Sequence, residues 1–196
     1  VKVRYADAPE LGPGEYERYS ETGKTDFKED IYTHCARALE LALERLSPRG
    51  LPYIGSCDWN DGMNRIGIDQ KGNQTGGESV WLAQFLAITL NNFSKLSELR
   101  GDIDGCEKYR AAAASLLLAV EKHAWATDRY ARAFYGDGLV LGAPTTEGGC
   151  QIDILPQAFA QLSGMGKDET GSQNRTRTAL ENMYSTLFDR EHRIMK

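Results

Sequence analysis

The chain is organised around residues 50–64, which read Gly-Leu-Pro-Tyr-Ile-Gly-Ser-Cys-Asp-Trp-Asn-Asp-Gly-Met-Asn. Between Asp58 and Asn64, two carboxylates, two amides and an indole fall within seven residues. Sugar hydroxyls need paired hydrogen-bond donors and acceptors, and the faces of a pyranose ring pack against flat apolar surfaces. This combination of side chains is typical of a carbohydrate-binding loop.

The polar stretch continues into a long segment that lacks regular periodicity. Glycines interrupt it at positions 55, 62, 67, 72, 76 and 77. A loop of about 20 residues inside a compact domain is usually either functional or disordered. The embedded apolar residues Trp59, Met63 and Ile66 argue against disorder. We therefore predict an ordered, functional loop.

Composition and charge exclude two classes of function. The 196-residue chain has a formal net charge of −5 and 41% hydrophobic residues, which are ordinary values for one folded domain. A negative chain lacks the basic face that nonspecific nucleic-acid binding requires. No apolar run approaches the roughly 18 residues of a membrane span. We expect no nucleic-acid partner and no membrane insertion by this segment.

The cysteines and histidines give no metal signature. The four cysteines, at positions 35, 57, 106 and 150, lack metal-ligand spacing, and the three histidines are far apart. We predict no metal site. Sparse cysteines are typical of free thiols in a reducing compartment, which predicts a cytoplasmic protein. The chain begins at Val1 without a signal peptide or initiator methionine, so we expect a processed protein or part of a larger one.

Hydrophobic periodicity predicts five helices, at about 25–46, 78–99, 105–125, 155–162 and 172–188. Residues 1–25 lack periodicity and predict an extended N-terminal arm, while residues 129–141 predict a short β-hairpin. In the first two helices the predicted buried faces are Ile31, Cys35, Leu39, Ala42 and Leu46, and Val80, Trp81, Phe85, Ile88 and Leu96. Paired helices with long loops at one end suggest a single all-α domain that is a portion of a helical toroid.

Asp61 is the best candidate for a catalytic residue. Cleavage of a glycosidic bond needs a carboxylic acid that protonates the leaving oxygen. Asp58 is a second carboxylate, which we expect to grip sugar hydroxyls or the backbone rather than to act with Asp61. The alternative is that Asp58, Asn60 and Asp61 merely form turns.

Other polar residues are weaker candidates for substrate binding. Trp59 is either a sugar-stacking surface or a core residue, and Arg132 is either a ligand of a hydroxyl or phosphate or an exposed strand residue. Glu147 is either a second site carboxylate or a solvated turn residue. Glu78 also fits an ordinary position in the first turn of a helix. Asn60 and Asn64 complete the set of candidates around the indole.

The motif resembles the signature of glycoside hydrolase family 94. Residues 50–64 match it first, followed by Gly77-Glu78-Ser79-Val80-Trp81-Leu82. The family contains cellobiose, chitobiose and 1,2-β-oligoglucan phosphorylases and the phosphorylase-like domain of cyclic β-1,2-glucan synthases. Segments that fit in the same order extend the resemblance over residues 28–164: His34–Ala38, Tyr130–Ala133, Gly136–Gly138, Leu141–Gly142, Gln157–Ala160 and Ser163–Gly164.

This resemblance implies an (α/α)6 toroid and an inverting phosphorolysis, with the β-1,2-glucan type favoured. Asp61 would be the general acid, and inorganic phosphate would attack the anomeric carbon as co-substrate, without another cofactor. Because phosphate is already anionic, no base carboxylate is needed. By the same match, Asp58 and Trp59 would shape the donor-sugar subsite, and Arg132 and Gln157 would lie near it.

The sequence also departs from the family pattern. Cys57 stands where glycine is expected, the loop between Asn64 and Gly77 is longer, and residues 147–150 mix features of subgroups. Family members are several times longer, and their phosphate-binding elements lie beyond residue 196. We therefore expect a partial catalytic domain that associates with the rest of the toroid or with a second copy.

Two alternatives remain open. One is a toroidal glycoside hydrolase that uses water, which needs a base carboxylate roughly 6.5–9.5 Å from Asp61. Glu147 and Glu78 are the candidates for that base. The other is a sugar-binding remnant without catalysis.

Overall fold

The computed structural model describes residues 1–7, 21–55, 58–64, 66–69, 71, 73, 75–165 and 174–196. Most of the predicted arm, Cys57 and the predicted start of the fifth helix lie outside the described residues. The chain forms two compact units, Val1–Arg45 and Leu46–Lys196.

The first unit consists of a two-stranded ribbon and one helix. Strands β1 (Lys2–Asp7) and β2 (Gly23–Asp30) pair antiparallel, and α1 (Ile31–Glu44) follows β2 directly. The helix begins at Ile31 rather than near residue 25, because residues 23–30 are extended and paired with β1. The side chain of Asp30 caps it by accepting a hydrogen bond from the backbone N–H of Thr33 at 2.9 Å.

The predicted buried face of this first helix is only partly correct. Leu39 is buried, and Ala42 is half-buried, but Ile31 is 48% exposed and Cys35 is also exposed. Tyr5 from β1 covers another side of the helix, where its ring stacks on His34 with centroids 4.0 Å apart. The ribbon, which the periodicity did not reveal, thus decides part of the helix packing.

The second unit is built on a helical hairpin. Helix α2 spans Val80–Arg100 and packs along its length against α3, which spans Ile103–His123. Gly101 ends α2 with a φ of 82°, a left-handed conformation that costs glycine little and other residues more. This structure confirms the predicted pair of long helices joined by a Gly/Asp turn.

The buried face of α2 differs from the predicted one. Val80 and Trp81 are buried as expected, but Phe85 is 46% and Leu96 48% exposed. Small residues occupy much of the buried face instead, namely Ala83, Ala87, Ser94 and Ser97. The large apolar residues Leu86, Leu90 and Phe93 are also buried, so the buried face lies on a different side of the helix from the predicted one.

Short strands connect the helices. Strands β4 (Trp125–Ala126) and β5 (Arg129–Tyr130) form one hairpin. Strands β6 (Ala133–Phe134) and β7 (Val140–Leu141) form another, which confirms the hairpin predicted for this segment. Strand β3 (Glu78–Ser79) adds to β6, so this three-stranded sheet runs β3-β6-β7.

The remaining elements complete a mostly helical architecture. Helix α4 (Ile154–Ser163) packs on α2, and α5 (Arg175–Leu187) packs on α4, followed by a hairpin of β8 (Phe188–Asp189) and β9 (Ile194–Met195). The described residues thus contain five helices and a few short strands, which confirms the mostly α prediction. None of the helices in the described ranges is long and apolar enough to cross a membrane.

Candidate functional site

Residues 58–64 form a tight turn, here called the acid loop. Its centre is one turn of 3-10 helix, Asp61–Met63. The side chain of Asn60 caps this turn by accepting a hydrogen bond from the N–H of Gly62 at 3.0 Å. The side chain of Asn64 closes the loop by accepting from the N–H of Asp58, also at 3.0 Å. The loop is therefore ordered by its own amide side chains.

Apolar residues anchor the acid loop to the protein. Met63 and Ile66 are buried with Ile54 and Ala133 in one small hydrophobic cluster. Gly77 lies close to this cluster, and a methyl group at position 77 would overlap the backbone of Ile66. The carbonyl of Gly77 accepts a hydrogen bond from the N–H of Ile54 at 2.9 Å. The cluster fixes the C-terminal end of the loop beside β6.

Asp61 lies on the outer side of this turn. The residue is exposed, and so is Trp59, whose exposure is 65%. A carboxyl group that protonates a leaving oxygen has to be reachable by the substrate. The structure therefore leaves both the candidate acid and its neighbouring indole open to a ligand.

Asp58 points the other way, into the protein. Its side chain is 2% exposed, and its Oδ1 accepts a hydrogen bond from the Nη2 of Arg132 at 2.5 Å. The side chain of Arg132 has no exposed surface. The interpretation of Arg132 as an exposed strand residue is therefore wrong, because the residue forms a buried ion pair with Asp58, 74 positions away in sequence.

Arg132 also reaches the N-termini of two helices. Its Nη1 donates to the hydroxyl of Ser79 at 3.2 Å, and its Nε lies 3.5 Å from a carboxylate oxygen of Asp153. Ser79 caps α2 through the N–H of Leu82, and Asp153 caps α4 through the N–H of Leu155. The guanidinium thus joins the acid loop to two helix N-termini.

An aromatic cluster, made of Trp59, Trp81, Phe85 and Phe159, lies beside the guanidinium of Arg132. The guanidinium carbon of Arg132 lies 5.6 Å from the centre of the Trp81 ring. Trp59 meets Trp81 edge-on with centroids 6.4 Å apart, and Phe85 stacks on Trp81 at 5.7 Å. Phe159 packs edge-on against Trp81, also at 5.7 Å. The exposed ring of Trp59 therefore packs against the ring of Trp81, which is buried.

Gln157 and Glu147 occupy different environments. Gln157 is fully buried and pairs with the backbone of Tyr130 in both directions, each hydrogen bond being 2.8 Å long. It also donates to the carbonyl of Asp153 at 3.0 Å, which links it to the Arg132 network. Glu147 is exposed on the loop after β7. Among the described residues, Glu147 makes no hydrogen bond or ion pair with Asp58, Arg132 or Gln157.

Glu78 is buried under an arginine. Its side chain is 5% exposed, and its Oε2 lies 3.2 Å from the Nη1 of Arg49, in a geometry too poorly aligned for a hydrogen bond. Arg49 in turn lies over the ring of Phe134, 4.7 Å from its centre. Glu78 lies in β3, two residues before α2 begins, so its interpretation as a residue of the first helical turn is wrong, and its carboxylate is paired with Arg49 instead.

Sequence reasoning missed Ser79 and Asp153 as members of the network. Both residues precede apolar helical segments, which is a recognisable N-cap signal. That signal predicts a hydrogen bond to the helix but neither the hydrogen bond of Ser79 to Arg132 nor the ion pair of Asp153 with Arg132. Cys150 is exposed as a residue, but partial burial of its thiol and then the negative charge of Asp153 raise the pKa of that thiol. Within the described ranges, no group of three or more His, Cys, Asp or Glu side chains is arranged to hold a metal ion.

Comparison with known proteins identifies the family. The sequence model of the Glycosyl hydrolase 94 superfamily, catalytic domain, matches residues 5–195. The chain is 37% identical over 195 residues to the cyclic beta-(1,2)-glucan synthase NdvB of Rhizobium meliloti, covering 100% of this chain and 6% of that protein. It is 31% identical over 139 residues to the cellobionic acid phosphorylase of Neurospora crassa, covering 71% of this chain and 17% of the relative.

One solved structure shares the fold at low sequence identity. The GH78 family rhamnosidase of Bacillus sp. GL1 superposes with a TM-score of 0.60 and 17% identity, over 80% of this chain and 15% of the rhamnosidase chain. The chain thus spans a small part of each relative named here. The match over residues 5–195 and the identity with both relatives nevertheless agree, and the chain belongs to the glycosyl hydrolase 94 superfamily, within its catalytic domain.

Proposed function

We propose that this chain carries the acid-bearing part of an enzyme that cleaves β-linked glucooligosaccharides with inorganic phosphate and inverts the anomeric carbon. The observation that carries the proposal is the placement of Asp61. It is exposed on an ordered turn beside exposed Trp59, in a segment that lies within the family match. Cellobionic acid phosphorylase, a relative with 31% identity, supports phosphate as the co-substrate.

In the proposed reaction, Trp59 packs against the sugar and Asp61 donates its proton to the glycosidic oxygen. A phosphate oxygen attacks the anomeric carbon from the opposite face, the bond from that carbon to the glycosidic oxygen breaks, and the shortened oligosaccharide leaves. Inversion of a β-linkage gives α-glucose 1-phosphate. Asn60 and Asn64 hold the loop in shape through their side-chain oxygens, and their amide N–H groups are available to sugar hydroxyls.

We favour β-1,2-linked glucan as the substrate, since the identity with the glucan synthase of Rhizobium meliloti is 37% over 195 residues. We further propose that the helices form a portion of an (α/α)6 toroid and that other segments supply the phosphate site, through the rest of the same toroid or a second copy. The similarity to the rhamnosidase, at a TM-score of 0.60, supports such a helical fold. The proposed location of the reaction is the cytoplasm.

A hydrolase that uses water is the alternative with candidates in the chain. It requires a base carboxylate that can deprotonate water opposite the acid. Glu78 is unsuited to this task because it is buried and held by Arg49 at 3.2 Å. Glu147 is exposed and remains the better candidate.

The test is the dependence of sugar release on phosphate. The complete polypeptide is incubated with β-1,2- and β-1,4-linked glucooligosaccharides, with and without inorganic phosphate, and the products are separated by anion-exchange chromatography. We expect glucose 1-phosphate only when phosphate is present, and faster release from the β-1,2 series. Free glucose at equal rates without phosphate would establish the hydrolase instead. Sugar binding by calorimetry without any turnover would indicate a binding remnant.

A further inference from the structure

We propose that Arg132 is a positioning residue that holds the acid loop against the N-termini of α2 and α4, and so places Asp61 for proton transfer. The inference rests on the proposed function for its consequence, but its geometry concerns this chain alone. It gives Arg132 a different task from direct contact with sugar or phosphate, which was the role considered from the sequence.

The burial of Arg132 argues against direct contact with a substrate. The side chain has 0% exposure, and all three guanidinium nitrogens face groups of the protein: Asp58 at 2.5 Å, Ser79 at 3.2 Å and Asp153 at 3.5 Å. Trp81 lies against the guanidinium, 5.6 Å from centroid to carbon. A sugar that approaches from solvent would have to displace these groups before it reached a guanidinium N–H.

Two of the three partners of Arg132 cap helices, and the third belongs to the acid loop. Ser79 and Asp153 cap α2 and α4, helices of 21 and 10 residues. Asp58 is the first residue of the acid loop, and the other end of that loop is anchored by Met63 in the hydrophobic cluster. Arg132 therefore supplies the polar anchor of a loop whose apolar anchor is Met63.

Two consecutive hydrogen bonds connect Asp58 to the turn that contains Asp61. The same Oδ1 of Asp58 that accepts from Arg132 also accepts from the N–H of Asn60 at 3.0 Å. The side chain of Asn60 then accepts from the N–H of Gly62, also at 3.0 Å. Asp61 lies between the two residues of this last contact. If Asp58 moves, the cap of the Asp61 turn loses its support.

The consequence is a specific kinetic signature. A displacement of about 1 Å at a reacting group can lower the rate about 100-fold. Because Arg132 is separated from the substrate by the acid loop, its loss should lower kcat and leave the KM for phosphate nearly unchanged, while the KM for sugar rises with the displacement of Trp59, which lies on the same loop. A residue that binds phosphate directly would raise the KM for phosphate instead.

The experiment compares Arg132→Gln, Arg132→Lys and the control Arg110→Gln in the complete polypeptide. Arg110 forms an arginine–carboxylate contact with Glu98 at 2.7 Å, but that pair is exposed on the helical hairpin. Two measurements are made on each variant: steady-state phosphorolysis, and hydrogen exchange of the amides in residues 58–64 and in α3.

We expect Arg132→Gln to lower kcat about 100-fold, with the KM for phosphate changed less than about threefold. The amides of Asn60 and Gly62 should exchange at least about tenfold faster, while those of α3 still exchange more slowly than the amides of the acid loop. Arg132→Lys should recover little of either property, because one ammonium cannot reach Asp58, Ser79 and Asp153 together. The control should resemble the parent in both measurements.

The outcomes separate this inference from the proposed function. A raised KM with unchanged kcat, or a lowered kcat with unchanged exchange in the acid loop, would overturn the positioning role. If the parent enzyme releases no glucose 1-phosphate, the proposed function fails, and the exchange result alone decides the inference. If exchange in α3 becomes as fast as in residues 58–64, the variant has unfolded, and Asp58→Asn replaces Arg132→Gln, since its amide oxygen still accepts from Asn60. Faster exchange confined to residues 58–64 then supports the inference, and unchanged exchange contradicts it.

Discussion

Removal of either member of the Asp58–Arg132 pair should destabilise the fold, and by unequal amounts. Breaking a buried ion pair on one side typically costs about 3–5 kcal/mol, because the remaining charge stays buried without its partner. In Asp58→Ala, the guanidinium of Arg132 keeps the carboxylate of Asp153 at 3.5 Å and the hydroxyl of Ser79 at 3.2 Å. We therefore expect the lower value, about 3 kcal/mol.

Arg132→Met leaves more buried charge without a partner than Asp58→Ala does. The carboxylate of Asp58, with 2% of its side chain exposed, keeps the N–H of Asn60 but no cation among its described contacts, and Asp153 loses the same partner. We expect a loss near the upper value, about 5 kcal/mol. The double variant removes both charges, so its cost should fall below the sum of the single costs by more than about 1 kcal/mol.

The assay is urea unfolding followed by far-UV circular dichroism, with the free energies of unfolding of the parent, the two single variants and the double variant combined in a cycle. Arg110→Gln is the control, and because the pair of Arg110 with Glu98 is exposed, its cost should stay below about 1 kcal/mol. The reasoning would be refuted if Arg132→Met cost no more than the control, or if the double variant cost the full sum. Either result would mean that the two charges do not depend on each other.

Three further predictions concern local structure in the second unit. Ser79→Ala should lower the free energy of unfolding by about 1–2 kcal/mol, because it removes the cap of α2 and an acceptor for Arg132; a change below about 0.5 kcal/mol in urea unfolding would contradict this. Gly101→Ala should cost about 1 kcal/mol, because its φ of 82° is unfavourable for alanine, and an unchanged thermal midpoint would argue against that conformation. The N–H of His192 first, and then Lys196, lower the pKa of Asp189 from 3.8 to about 2. The stability from this carboxylate is therefore present above about pH 4 and lost as the pH falls through about 2; a carbon-13 NMR titration midpoint near 3.8 would contradict the assignment.

The helices were predictable because their signals are local. Apolar spacing and the Gly101-Asp102 turn sufficed to predict α2 and α3 within a few residues of their ends. The buried face of α2 was not predictable in the same way. The face includes Leu86, Leu90 and Phe93 together with small residues such as Ala83 and Ser97, and which side of the helix is buried depends on the neighbouring elements rather than on the helix sequence.

The candidate site was predictable as a set of residues but not as an arrangement. The polar cluster and its indole indicated a functional loop, and the structure forms an ordered turn there. The direction of each side chain depends on partners far along the chain, as the 74-residue separation of Asp58 and Arg132 illustrates. The burial of Gln157 against the backbone of Tyr130 depends on β5 and α4 meeting, which neither segment predicts alone.

The most direct test of the account is glucose 1-phosphate release by Asp61→Asn, compared with the parent and with Asp104→Asn in the complete polypeptide. Asp104 is an exposed carboxylate in the first turn of α3, outside the site. Asparagine cannot donate the proton that the leaving oxygen needs, and general-acid catalysis contributes about 10²–10⁴-fold. The account predicts that Asp61→Asn lowers kcat by at least about 100-fold and that Asp104→Asn leaves it unchanged. Phosphorolysis by Asp61→Asn at the parental rate would contradict the assignment of Asp61 as the general acid.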